Sequence, residues 1–212
     1  MIEKIKKNIP NLITLSRILA LMLGFILFIK NKEFEAIILY VYGSVSDAFD
    51  GYFARKWSVY TKLGSYLDAI SDKFYALSII ILSLLNKNYL IIPILVLEAV
   101  ITILNYQTIK KNIIASTVRV GKFKMTFEFI TLILALLIVK IKKLYYVFIL
   151  FLLLTIYFGV QSVIAYINKL NNKEEKLKIT EEDYKGKNSI EKTKLLLKEF
   201  KYYLLNPVQI IK

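Results

Sequence analysis

The chain has 212 residues, a formal net charge of +14, 57% hydrophobic residues and a mean hydropathy of +0.53. That balance excludes an ordinary soluble domain. The absence of cysteine and histidine removes disulfides, thiolate chemistry and the commonest general base, so acid–base or metal chemistry must rest on carboxylates and lysines.

Apolar runs recur at lengths near the ~20 residues that carry a helix across a bilayer. They predict helices at Ile9–Ile29, Phe34–Phe53, Leu63–Leu85, Tyr89–Ile109, Phe123–Val139 and Leu144–Ile167. The period-2 alternation of a membrane barrel is absent. The expectation is an all-α integral membrane protein with six transmembrane helices, residues 1–168 forming one domain. No small-residue cleavage site follows the first run, so no cleavable signal peptide is expected, and no tandem repeat is present. The basic residues flank the spans, which points to lipid headgroups and phosphate-bearing substrates and away from nucleic acid.

The first helix opens on Ile9-Pro10-Asn11-Leu12-Ile13-Thr14-Leu15-Ser16-Arg17. Pro10 suits a helix start, and Asn11 and Thr14 are either caps or site residues. Arg17 lies well inside the apolar run, where an unpaired charge is costly, so it must snorkel or meet a carboxylate.

The second and third helices carry Asp47, Asp50, Asp68 and Asp72, and the chain has only one other aspartate, Asp183. Residues three or four apart share a helix face. Asp47, Asp50, Gly51 and Ala54 form one such stripe, and Gly64, Asp68 and Asp72 form another. Facing each other, the stripes gather four carboxylates that repel unless a cation joins them, and Mg²⁺ or Mn²⁺, one ion or two, fits that need. The small residues leave room for close approach of a ligand or a neighbouring helix. A network of ion pairs with Arg55 and Lys73 is the blander alternative.

Lysine and arginine place both termini inside: Lys4, Lys6, Lys7, Arg55, Lys56, Lys62, Lys110, Lys111, Arg119, Lys122 and Lys124 outnumber Lys30, Lys32, Lys87, Lys140, Lys142 and Lys143. The carboxylates then sit at the cytoplasmic ends of their helices, so a site built on them in a plasma-membrane protein would open toward cytoplasmic substrates. A cation transporter is the reading from another class, but a transport path needs polar groups at the midplane and far side, where only Glu98, Glu128 and scattered amides stand. Residues 169–212 form a polar linker followed by a short amphipathic helix near Ile190–Leu205, which lies on the membrane, against the body or against a partner chain.

The spacing from Asp47 through Asp50, Gly51, Ala54, Arg55, Gly64 and Asp68 to Asp72 resembles the signature of the CDP-alcohol phosphotransferase (phosphatidyltransferase) family, Asp-x2-Asp-Gly-x2-Ala-Arg-x8-Gly-x3-Asp-x3-Asp. The resemblance covers about residues 1–168. It implies transfer of a phosphatidyl group from CDP-diacylglycerol to an alcohol with release of CMP, by a protein acting as a homodimer. It further implies metal on Asp47, Asp50, Asp68 and Asp72, with Asp72 also the base for the acceptor hydroxyl. Gly51, Ala54, Arg55 and Gly64 would shape the CDP pocket.

The opening around Arg17, and Arg119-Val120-Gly121-Lys122-Phe123-Lys124 before the fifth helix, resemble elements of the phosphatidylglycerophosphate synthases within that family. The resemblance implies glycerol-3-phosphate as acceptor, its phosphate met by Arg17, Arg119, Lys122 and Lys124. A loop that only sets topology would carry the same lysines. Two positions depart from the synthase pattern: Met125 stands in place of threonine (Thr126 follows), and Leu97-Glu98 stands where Arg-Glu is common. Inositol phosphate, serine and phosphatidylglycerol are the alternative acceptors.

Overall fold

In a computed structural model the chain is described over residues 2–57, 59, 62–111, 119–171 and 187–208. It is all-helical there: α1 Ile2–Ile29, α2 Glu33–Lys56, α3 Lys62–Leu85, α4 Ile92–Lys110, α5 Arg119–Leu137, α6 Tyr145–Leu170 and α7 Ser189–Leu205. The six apolar runs thus each become a helix, with ends shifted by a few residues.

Two corrections follow. Among the described residues three stretches are long and apolar enough to cross a membrane, Ile9–Ile29, Tyr89–Thr108 and Lys142–Leu170, rather than six. The others, α2, α3 and α5, carry Asp47, Asp50, Asp68, Asp72, Lys122, Lys124 and Glu128 within their runs, and each charge dilutes the hydropathy. In addition, α1 does not start at Pro10; it begins at Ile2 and holds Pro10 inside. Proline has no N–H, so at this turn the helix forgoes a main-chain bond.

The chain divides into two compact units, residues 1–92 with 129–151 and residues 93–128 with 152–212. In the first, α1 packs against α2 and α3. Its core holds the fully buried Leu21, Tyr40, Ile79, Leu132 and Phe148. Tyr75 meets the edges of Tyr40 and Phe129, with ring centroids 6.0 and 5.0 Å away, the edge-to-face geometry aromatic quadrupoles favour. Helices α1 and α3 end where Asn31 and Lys87 turn left-handed (φ 60° each). Lys32 N–H reaches back to Leu27 O (2.9 Å) and Asn88 N–H to Ser83 O (2.9 Å), which satisfies carbonyls the helix ends would orphan. Lys140 pairs with Glu33 at 3.2 Å.

The close contact that positions the site lies between α1 and α2. A Cβ on Gly43 would stand 2.8 Å from Leu21 Cδ2, the end of a flexible side chain that would have to turn aside to admit it. The two helices join through a short turn and run antiparallel, so moving one turn from Gly43 to Asp47 corresponds to stepping back one turn from Leu21 to Arg17. One further step opposes Asp50 to Thr14. The contact at Gly43 is thus in register with the polar pairs.

In the second unit, Val120, Phe123, Phe158, Ala165, Tyr203 and Val208 form a core joined by Phe127 and Phe200. Phe127 and Phe158 stack at 5.4 Å, and Phe200 approaches Phe123 at 5.7 Å. Helix α7 is therefore packed against α5 and α6 through one face.

Candidate functional site

Three helices each contribute one pair of polar residues a turn apart: Thr14 and Arg17 from α1, Asp47 and Asp50 from α2, Asp68 and Asp72 from α3. The guanidinium of Arg17 stands at their centre, 2% exposed. Its Nη1 donates to Asp47 Oδ1 and to Asp72 Oδ1 (3.2 Å), and its Nη2 donates to Asp68 Oδ1 (2.7 Å). Asp50 Oδ2 lies 3.7 Å from Nη2, an ion pair beyond hydrogen-bond length. Arginine's planar fork can address several carboxylates at once, which a lysine ammonium cannot do in fixed geometry. The Thr14 hydroxyl lies 2.8 Å from Asp50 Oδ2 and 3.0 Å from Pro10 O, and its single hydrogen serves one of them.

The site is graded in exposure. Asp50 is 8% exposed, Asp72 24%, Asp47 30% and Asp68 49%, so the cluster is closed on the Asp50 side and open at Asp68. Among the described residues, the guanidinium of Arg17 is thus shared by four carboxylates in a partly dehydrated setting.

The donor set fits a hard divalent cation. Asp47, Asp50 and Asp68 each offer a carboxylate oxygen, all within 4.8 Å of one another. All-oxygen, carboxylate-rich clusters of this kind suit Mg²⁺, Mn²⁺ or Ca²⁺ better than a softer metal. That a buried guanidinium settles among the same oxygens is independent evidence that the cluster demands positive charge.

The other candidates are distributed as follows. Gly51, Ala54 and Arg55 lie in α2 and Arg119 opens α5, but their side chains fall outside the described residues. Gly64 is half-buried in the first turn of α3. Lys122 is exposed, whereas Lys124 is buried and pairs with Glu98 and Glu128 in the second unit. The acceptor candidates Arg17 and Lys124 are thus both engaged by carboxylates. The sequence does carry a signal for Arg17's role. Only three of the 30 basic residues are arginine, and Arg17 is the one buried in an apolar run, a turn from a threonine.

A helical membrane protein with an acidic, cation-demanding cluster on two adjacent helices is the class these features define. Within it, the chain belongs to the CDP-alcohol phosphatidyltransferase family, whose model matches residues 7–165. Similar proteins include the CDP-diacylglycerol--glycerol-3-phosphate 3-phosphatidyltransferase of Rickettsia bellii, 36% identical over 99 residues, 45% of this chain and 55% of that protein. The protein of the same name from Escherichia coli K12 is 35% identical over 85 residues, 39% of this chain and 46% of the relative. The chain thus matches about half the length of these curated relatives. No solved structure matches it.

Proposed function

We propose that this protein transfers a phosphatidyl group from CDP-diacylglycerol to an alcohol, best read as sn-glycerol-3-phosphate, and releases CMP. The observation that carries the reading is the Asp47–Asp50–Asp68–Asp72 cluster within the segment matched by the family. The acceptor named for the similar bacterial proteins is glycerol-3-phosphate, which supports that choice here. Asp47, Asp50, Asp68 and Asp72 would hold Mg²⁺ or Mn²⁺, one ion or two. When bound, the metal supplies charge neutralisation for the diphosphate and the departing CMP.

The chain's own residues take the remaining roles. The acceptor hydroxyl gives its proton to Asp72, its oxygen bonds to the phosphatidyl phosphorus, and the P–O bond to CMP breaks with the electron pair leaving on CMP. Gly51, Ala54, Arg55 and Gly64 are the residues for the CDP moiety. For the acceptor phosphate, Arg119, Lys122 and Lys124 are the candidate residues, and of these Lys124 already pairs with Glu98 and Glu128. Arg17 acts in this reading by fixing the aspartates in position until metal arrives.

Helices α2 and α3 are proposed to lie within the bilayer beside the three apolar stretches. Phe34, Ile38, Val41, Val45 and Phe49 form one exposed stripe on α2, and Tyr66, Ile70, Leu77, Ile81 and Leu85 form another on α3. Apolar stripes at that spacing suit lipid, while the aspartates face the protein. The same reading puts residues 1–168 in one catalytic membrane domain of a plasma-membrane homodimer, with the aspartates toward the cytoplasm and 169–212 as an appended tail.

The test is CMP release by the purified protein with CDP-diacylglycerol, Mg²⁺ or Mn²⁺ and, in separate reactions, glycerol-3-phosphate, inositol phosphate, serine and phosphatidylglycerol. Release with glycerol-3-phosphate alone is expected. Release with another acceptor reassigns the alcohol, and none with any acceptor removes the enzymatic reading.

A further inference from the structure

Helix α7 lies beyond the segment that the family model matches, and its charge and exposure pattern has a second use besides packing. Its N-terminus is closed by a capping box, in which Glu191 N–H donates to Asn188 Oδ1 (2.9 Å) and Asn188 N–H to Glu191 Oε2 (3.3 Å). Its C-terminal carbonyls are held by α6: Tyr157 Oη donates to Leu204 O (2.9 Å), and Gln161 Nε2 to Tyr203 O (3.3 Å). The helix is thus fixed at both ends.

At 100° per residue, Glu199 and Tyr203 fall on the buried face. Ile190, Leu197 and Leu204, seven residues apart, form a separate line that is 69%, 62% and 41% exposed. Lys194, Lys198 and Lys201 run in the adjacent column, all exposed. An apolar line bordered by a lysine column is the pattern of a helix lying in the headgroup region.

We infer that α7 is a docking surface for the anionic face of the bilayer, with Ile190, Leu197 and Leu204 entering the headgroup–acyl boundary and Lys194, Lys198 and Lys201 meeting lipid phosphates. Charge complementarity selects this occupant. A two-fold pairing through the same face would bring like lysine columns together, whereas anionic headgroups neutralise them.

The chain has no cysteine, so Leu197→Cys provides a single labelling site for an environment-sensitive fluorophore on the full-length protein. The protein is reconstituted in nanodiscs of phosphatidylcholine alone or of phosphatidylcholine with phosphatidylglycerol. Quenching by a nitroxide-labelled lipid is compared with quenching by aqueous iodide. In the anionic discs the lipid quencher should dominate. Combined K194Q, K198Q and K201Q should lower the docked-to-free ratio by about fivefold per lysine removed. Ile190→Cys, on the same line, should report the same change and guards against a local effect of either cysteine. Equal access of iodide in both lipids, with no effect of the lysine variants, overturns the proposal. So does protection that rises with the number of protein copies per disc at fixed lipid composition, which would assign the face to a second copy.

Discussion

Arg17 and Lys124 are both buried cations held by carboxylates, and the contrast between them separates a site from a strut. Arg17 faces four aspartates, three of them 24–49% exposed. Lys124 faces Glu98 and Glu128, which are 15% and 7% exposed. Among the described residues, the first cluster sets four carboxylates around one guanidinium and has an open side through which another cation can enter. The second sets two carboxylates around one ammonium and is closed. Short aspartate side chains hold their oxygens near rigid helix backbones, whereas the longer glutamates fold onto the one lysine. Many carboxylates with access suit ligand binding; a closed, smaller cluster suits structure.

The sharpest way to break this contrast is chemical. Asp72→Asn should lower CMP release on the order of 10²–10⁴-fold, the usual loss for a general base, while thermal unfolding in detergent stays near that of the wild type. Wild-type turnover in that variant would take Asp72 out of the reaction.

Lys124→Met tests the other cluster through stability. It removes the ammonium beside the buried Glu128 and the half-buried Glu98 and should cost about 3–5 kcal/mol, seen as a lower unfolding temperature. The triple variant E98Q, K124M and E128Q should recover most of that loss. If K124M unfolds like the wild type but raises KM for glycerol-3-phosphate, Lys124 belongs to the acceptor site instead.

Arg17→Gln should make stability depend on divalent cation, because metal then becomes the main neutralising charge. Mg²⁺ at 100 times its Kd should stabilise the variant by about 2.7 kcal/mol, visible as an unfolding temperature that falls on chelation. An equal Mg²⁺ response in wild type and variant would mean that the guanidinium and the metal do not share the carboxylates.

The smallest effect is expected from Thr14→Val, which removes the hydroxyl beside Asp50 and should cost about 1 kcal/mol. Unchanged stability would indicate that the hydroxyl bonds Pro10 O and not the carboxylate.

Much of this was legible in the residues. The six apolar runs predict six helices because bilayer-length hydrophobicity is a local property, and the observed ends differ mainly where charge enters a run. The aspartate pairs were legible because helical period alone puts Asp47 beside Asp50 and Asp68 beside Asp72. Pro10 misleads in the same local way: its preference for a first turn suggests a helix start, but the helix extends back to Ile2. Arg17 and Lys124 both read as phosphate ligands from their motifs. Which carboxylates they meet depends on helices far apart in the chain.

By itself, then, the sequence determined which runs become helices among the described residues, the three of them apolar enough to cross a membrane, and the residues that carry negative charge into the others. These follow from composition and from a period of 3.6 residues. The tertiary structure decided the partners: α1 against α2, in close contact at Leu21 and Gly43, brings Arg17 to Asp47 and Thr14 to Asp50. Register between helices depends on which side chains are small enough to let two backbones approach, a relation between distant residues that no local pattern contains.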